Sequence, residues 1–148
     1  MASNAEPDSS ADRLVLPAKL SAMERLPPWI EAVAKNRSID DRTRFAIHLC
    51  LEEAISNIIR HGHVETAAES TVTIACAASP DGQLVFTVED NAPPFNPLAA
   101  PAMPIVDANG EIPIGGHGIR LLRNFAGSLD YEPTPTGNRL RIGFVIER

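Results

Sequence analysis

The chain alternates between short runs of apolar-polar alternation and longer stretches at helical spacing. RLVLPA (13–18) alternates and predicts a short strand. LSAMERL (20–26) has helical spacing, interrupted by Pro27 and Pro28. Proline is accommodated in a first helical turn, so a firmer helix is predicted over 28–36 with Trp29, Ile30 and Val33 inward. The next helix is predicted from Asp40 to His61. Its apolar residues Phe45, Leu49, Leu51, Ile55, Ile58 and Ile59 spread too widely around the axis for a surface helix, which predicts extensive burial. Ser38 is placed to cap this helix with Asp41 three residues on, Asp40 complements its dipole, and Gly62 ends it.

TVTIACAAS (71–79) and QLVFTVED (83–90) flank a Pro-Asp-Gly turn and predict a hairpin. Residues 91–114 then carry six prolines with little periodicity. A connection of that kind inside a compact domain is functional or mobile. A glycine cluster leads into an amphipathic helix over 115–128 with Ile119, Leu122 and Phe125, and a second hairpin follows in 129–134 and 138–147. The strands come in hairpins, not in repeated βαβ units. This predicts an α+β fold: a two-layer α/β sandwich with helices on one face of a mixed, largely antiparallel sheet. A single domain is expected over 13–148, after a small, polar, acidic tail over 1–12 that reads as disordered.

Composition narrows the function classes. Of 148 residues, 44% are apolar and 22% charged, and the net charge is -6. Without a basic cluster, a nucleic-acid partner is not expected. No apolar run approaches a membrane span and no signal peptide opens the chain, so no membrane partner is expected either. Cys50 and Cys76 sit in apolar segments and read as buried free thiols in a reducing compartment. A cytoplasmic protein is the expectation.

Three constellations could carry chemistry. In LEEAISNIIRH (51–61), Glu53, Asn57 and His61 recur every fourth residue and stack on one helical face. The carboxamide of Asn57 could ligate a hard cation such as Mg²⁺, and Glu53 could act as general base. The alternative is a solvated stripe, or a cap near the helix end. Glu52 points to another side and reads as a surface residue. Asp90, in VEDNAPPF (88–95), could accept a hydrogen bond from an exocyclic amine in a pocket, or could simply start the turn through a local backbone bond. Gly115, Gly116, His117, Gly118 and Ile119 put glycines before a helix, which suits either an anion cradle or a hinge. No Walker loop is present, since no Gly-Lys-Ser/Thr follows. His48 and His63 have no evident metal partner.

In order and spacing, these motifs resemble the GHKL ATPase domain, the Bergerat ATP-binding fold. Within it they look most like the stand-alone anti-sigma-factor serine/threonine kinases of bacterial partner-switching systems. The resemblance runs from about Leu14 to Glu147. LEEAISNIIRHG is similar to the family's N-box, which implies Asn57 on Mg²⁺ and Glu53 as the base. VEDNAPPFNP resembles the box written D-x-G-x-P-F-D-P, which implies Asp90 on the adenine amine with Ala92 in the pocket floor. GGHGIRLLRNF resembles the second glycine box, which implies backbone amides of Gly115, Gly116, His117, Gly118 and Ile119 at the phosphates of ATP. The proline-rich stretch, with a lid expected over about 91–118, would close over the nucleotide. GNRLRI resembles the last strand.

Three departures from the family pattern stand out. Ala92 stands where glycine is usual, Asn96 replaces an aspartate, and Asn138 and Arg139 fill positions where many relatives carry a threonine near the adenine. The implied function is phosphorylation of a STAS-type anti-anti-sigma partner with sequestration of a sigma factor, and homodimerisation is a family trait. The alternatives are a degenerate or nucleotide-free module that only sequesters a partner, and the catalytic part of a histidine kinase, for which an expected phosphoacceptor helix is not seen ahead of the domain.

Overall fold

The alternation in the sequence becomes one sheet whose inner face is almost wholly apolar. The computed structural model describes residues 12–62, 70–99 and 118–146. Its strands are β1 (Arg13–Pro17), β2 (Thr71–Ala78), β3 (Gln83–Asp90), β4 (Ser128–Thr134) and β5 (Gly137–Val145). They lie in the order β1-β2-β3-β5-β4. Every neighbouring pair is antiparallel, in keeping with the largely antiparallel sheet expected from the sequence. Short hairpin turns join β2 to β3 and β4 to β5, whereas β1–β2 and β3–β5 are brought together over longer connections. Gly82 closes the first hairpin at φ +88°, a conformation glycine takes without steric cost.

Helices α1 (Leu26–Asn36), α2 (Asp41–Gly62) and α3 (Gly118–Phe125) cover the inner face. Phe86, fully buried at the centre of β3, meets Trp29 of α1 edge-on at 6.1 Å and Phe144 of β5 at 5.9 Å. T-shaped pairs of this kind add roughly 0.5–1.5 kcal/mol beyond the area they bury. Ile47, Cys50, Leu51, Ala54 and Ile55 bring α2 into the same core. Cys50 and Cys76 are free and buried, and burial pushes both thiols up to about 12.

Several local expectations change. LSAMERL forms a 3-10 turn over Leu20–Arg25, not an α-helix. Ser38 does not cap α2. It sits at φ 55° as the left-handed residue that ends α1, with Ser38 N–H donating to Lys35 O and Ile39 N–H to Ala34 O. Asp40 is the cap: its Oδ1 accepts from Thr43 N–H at 2.7 Å, which holds the Asp40 carboxyl below its ordinary value. Phe45 was counted as apolar core, yet it is 61% exposed and packs edge-on against Phe125 at 6.4 Å. Asp12, assigned to the tail, is anchored through its backbone to Cys76 and through its carboxylate to Arg37 at 2.9 Å.

The outer face of the sheet carries a ladder of charge. Arg139 bonds Glu89 and Glu132, and Arg141 bonds Glu132 and Asp130. The two arginines, Arg139 first, hold the Glu132 carboxyl below its ordinary value. Inside, β3 and β5 run in a register that sets Asp90 opposite Asn138. The close approach depends on Gly137, where an added Cβ would fall 1.9 Å from Asp90 O and 2.7 Å from Asn91 Cα. Both obstructing atoms are backbone and cannot rotate away. Gly137→Ala is therefore expected to lower the unfolding free energy by roughly 1–3 kcal/mol, measured by urea denaturation. A variant as stable as wild type would contradict this packing.

Candidate active site

Helix α2 crosses the sheet so that Ala54, Asn57 and Ile58 form one wall of a cleft. The spacing is that of one helical face. Ala54 is nearly fully buried and small, so the ridge stays low where a flat ligand could lie. The opposite wall comes from Asp90 at the end of β3 and from Asn138 and Leu140 of β5. Phe95 and Pro97 close the front, and Leu122 and Tyr131 the sides. The cleft holds about 480 Å³ of space counted to its open side. The part of it enclosed by protein is small, about 30 Å³, and the rest is open to solvent.

Asn57 contributes a specific chemical deficit. Its Oδ1 is buried and has no hydrogen-bond partner among the described residues. Leaving such an oxygen unpaired costs about 1–3 kcal/mol, so it is a group in want of a ligand. A neutral, hard oxygen donor suits a hard cation. Among the described residues no cluster of three or more His, Cys, Asp or Glu could hold a metal by itself. Glu53 lies one turn earlier on the same helix and is half-buried, while Glu52 is exposed. The side chain of His61 lies outside the described residues. His48 lies away from the cleft, with Nε2 2.7 Å from Glu31.

Asp90 starts the turn through a local backbone bond and also lines the cleft. Alternation along β3 places it on the inner face after Leu84, Phe86 and Val88, and it is 8% exposed. Its Oδ1 accepts from Ala92 N–H at 2.9 Å, which starts the turn. The same carboxylate lines the cleft. Ala92 is buried, and Ser38 is the one non-glycine residue at positive φ among those described. Alanine at position 92 is thus accommodated without the conformation that only glycine takes freely.

The family resemblance put Asn138 near the adenine position without giving it a role, and the sequence did not single out Tyr131. Asn138 is buried and its Nδ2 donates to Asp90 Oδ1 at 2.9 Å. The period of two along β5 was the available signal: it sets Asn138 inward with Leu140 and sends Arg139 out to the charge ladder. Arg139 is therefore not beside the cleft, as the family comparison of positions had implied. Asn96 caps the 3-10 turn Pro97–Ala99 through Leu98 N–H at 2.8 Å, and Arg123 of α3 donates to Leu98 O at 3.0 Å. Gly115, Gly116 and His117 lie outside the described residues. Gly118 opens α3 and Ile119 follows it, the side chain of Ile119 also lying outside that description. No helix among the described residues is long and apolar enough to cross a membrane.

Comparison with known proteins agrees with this architecture. A family model described as a histidine kinase-like ATPase domain matches residues 16–144. The serine/threonine-protein kinase BtrW of Bordetella bronchiseptica is 26% identical over 134 residues, covering 90% of this chain and 93% of that protein. The structure of the RsbU and RsbW domains of Rv1364c from Mycobacterium tuberculosis superposes with a TM-score of 0.65 at 14% identity, over 92% of this chain and 33% of that one. The blue-light activated histidine kinase of Erythrobacter litoralis EL346 gives 0.54 at 20% identity, over 73% and 32%. This chain spans about a third of the length of those two structural neighbours.

The unpaired Asn57 oxygen leads to an expected outcome in the ligand-free protein. Asn57→Ala removes it, so unfolding free energy should stay within about 1 kcal/mol of wild type or rise. A structurally bonded asparagine would instead cost about 1–3 kcal/mol on removal, and a loss of that size in urea unfolding would show that Asn57 serves the fold.

Proposed function

The chain belongs to the histidine kinase-like ATPase domain family, and we propose that within it this protein is an ATP-dependent serine/threonine protein kinase of the anti-sigma-factor type. The observation that carries the reading is the pairing, across one cleft, of an unpartnered Asn57 oxygen with the Asp90 carboxylate. The first fits a cation that accompanies a triphosphate. The second fits the amine edge of adenine, stacked between Ala54, Ile58 and Leu140. The similarity to BtrW along nearly the whole of both chains supports a protein hydroxyl as the acceptor.

In this mechanism Glu53 takes the proton from a serine or threonine hydroxyl of the partner protein. The freed oxygen bonds to the γ-phosphorus of ATP while the bond from that phosphorus to the β–γ bridging oxygen breaks. ADP leaves with the electron pair. Mg²⁺, when bound at Asn57, supplies neutralisation of charge on the phosphate oxygens. The segment Gly115, Gly116, His117, Gly118 and Ile119, whose last two residues open α3, would supply backbone donors to those oxygens. Residues of the proline-rich connection act as the lid, which excludes water from the transfer. The acceptor is a STAS-type anti-anti-sigma protein. Its phosphorylation state decides whether the kinase holds a sigma factor, and a homodimer is the working assembly. The protein acts in the cytoplasm.

Saturating Mg·ATP should stabilise the fold, by roughly 2.7 kcal/mol at 100 times its dissociation constant, read as a rise in melting temperature. No shift would remove the nucleotide reading. For catalysis, Glu53→Ala should abolish transfer of labelled γ-phosphate to the STAS partner and leave Mg·ATP affinity within about twofold, since a base acts only in the transition state. The label on the partner should survive acid, as a phosphate ester does. An acid-labile product would indicate a histidine acceptor, and transfer undiminished in the variant would acquit Glu53.

A further inference from the structure

Asn138 is more heavily bonded than any other polar side chain of the cleft. Its Nδ2 donates to Asp90 Oδ1 at 2.9 Å, and towards the carbonyls of Pro93 at 3.2 Å and Ala92 at 3.4 Å. Its Oδ1 accepts from Phe95 N–H at 2.9 Å and from the hydroxyl of Tyr131. Three acceptors around one end of the amide and two donors around the other leave no ambiguity in its orientation. A primary amide has two donors and two acceptor sites, and all four are in use. Asn138 therefore keeps nothing for a ligand. What it touches is the machinery that would receive one.

The partners come from three separate parts of the chain. Asp90 ends β3, Ala92 to Phe95 begin the proline-rich connection, and Tyr131 belongs to β4. The amide joins them at a point where the sheet register already sets Asp90 opposite Asn138. Both hydrogen bonds that Asp90 accepts from described residues, from Ala92 and Asn138, fall on Oδ1. One oxygen of the carboxylate is thus saturated and its plane is held. The other is the acceptor left for a ligand in the cleft.

We propose that Asn138, steadied by Tyr131, is a positioning residue that fixes Asp90 and the Ala92–Phe95 turn before any ligand enters, and so sets the preference of the cleft for a base edge that donates an amine. The inference rests on the nucleotide reading above and deepens it. An ionised carboxylate only accepts. Held in one orientation, it rewards an amine and meets a carbonyl with unpaired acceptors on both sides, which is how buried polar groups discriminate strongly between near-isosteric ligands. A carboxylate free to swing could turn away from a carbonyl or admit a bridging water.

The experiment compares Mg·ATP with Mg·ITP, whose base carries a carbonyl in place of the exocyclic amine, by calorimetric titration of wild type and Asn138→Ala. Amide hydrogen exchange at Ala92 and Phe95 is followed in the ligand-free proteins. Wild type should prefer ATP by at least about tenfold, and Asn138→Ala should lose most of that preference, with ATP affinity falling about tenfold, or about 1.4 kcal/mol. Exchange at Phe95 should quicken about tenfold or more without ligand, because the bond that protects it is gone. A purely structural role would weaken ATP and ITP together, and an unchanged ratio would overturn the proposal. Unchanged exchange at Phe95 would overturn it as well. Should wild type bind neither nucleotide, the nucleotide reading fails and with it the selectivity, while the exchange data still decide whether the amide holds the turn. Should Asn138→Ala not fold, Tyr131→Phe removes one hydroxyl and keeps the ring. It should lower the ATP preference by about threefold, and an unaltered preference there counts against the proposal.

Discussion

Asp90 opposite Asn138, across the β3–β5 ladder, is the constraint on which the rest of the cleft depends. A shift of one residue would flip every side chain of a strand to the other face. Here it would send Asn138 out to solvent and bring Arg139 in against Asp90. The apolar periods of both strands oppose that slip, because Phe86, Val88, Leu140 and Ile142 all need the inner face. A core requirement thus holds a polar pair in place. Gly137 completes the arrangement by letting the β4–β5 turn come against the backbone of Asp90 and Asn91.

The two layers divide the work. The sheet delivers a carboxylate and an amide at one end of a hydrophobic face, and α2 lays a small residue and a carboxamide across from them. Neither layer alone makes a site. Helix α3 then ties to the front of the cleft through Arg123 and Leu98, so the described part of the connection is bonded to β5 at one point and to α3 at another. The cleft is consequently walled on several sides by elements whose positions are set by the core, which is where a binding geometry can be held tightly.

Much of this could be read in the chain itself. Period-two runs announced the hairpins, and the N-box stretch announced both a long helix and its awkward polar stripe. Where reading stopped, the cause is physical. Asp90 admitted two interpretations because a local turn bond and a wall of a pocket make the same demand on residue type. The bonding role of Asn138 was not legible because its main partner is 48 positions away, and nothing local marks an amide that bonds at such range. Phe45 misled because helical periodicity counts apolar residues without knowing where a neighbouring helix ends; it pairs with Phe125 at the rim. Ser38 had the right chemistry for a cap, but Asp40, two positions on, took that role and left Ser38 to the left-handed turn.

The charge ladder on the outer face has a consequence at long range. Glu89, Arg139, Glu132, Arg141 and Asp130 include three acids and two bases, so together they carry -1 of the chain's -6. Opposite charges in contact cancel at distances beyond a Debye length, about 8 Å at physiological salt. Seen from afar, that side of the molecule is close to electrically silent, and the field that could steer a charged partner originates elsewhere on its surface. The ladder itself does not guide a partner that meets the outer sheet, and recognition there happens at contact, by the pattern of alternating sign.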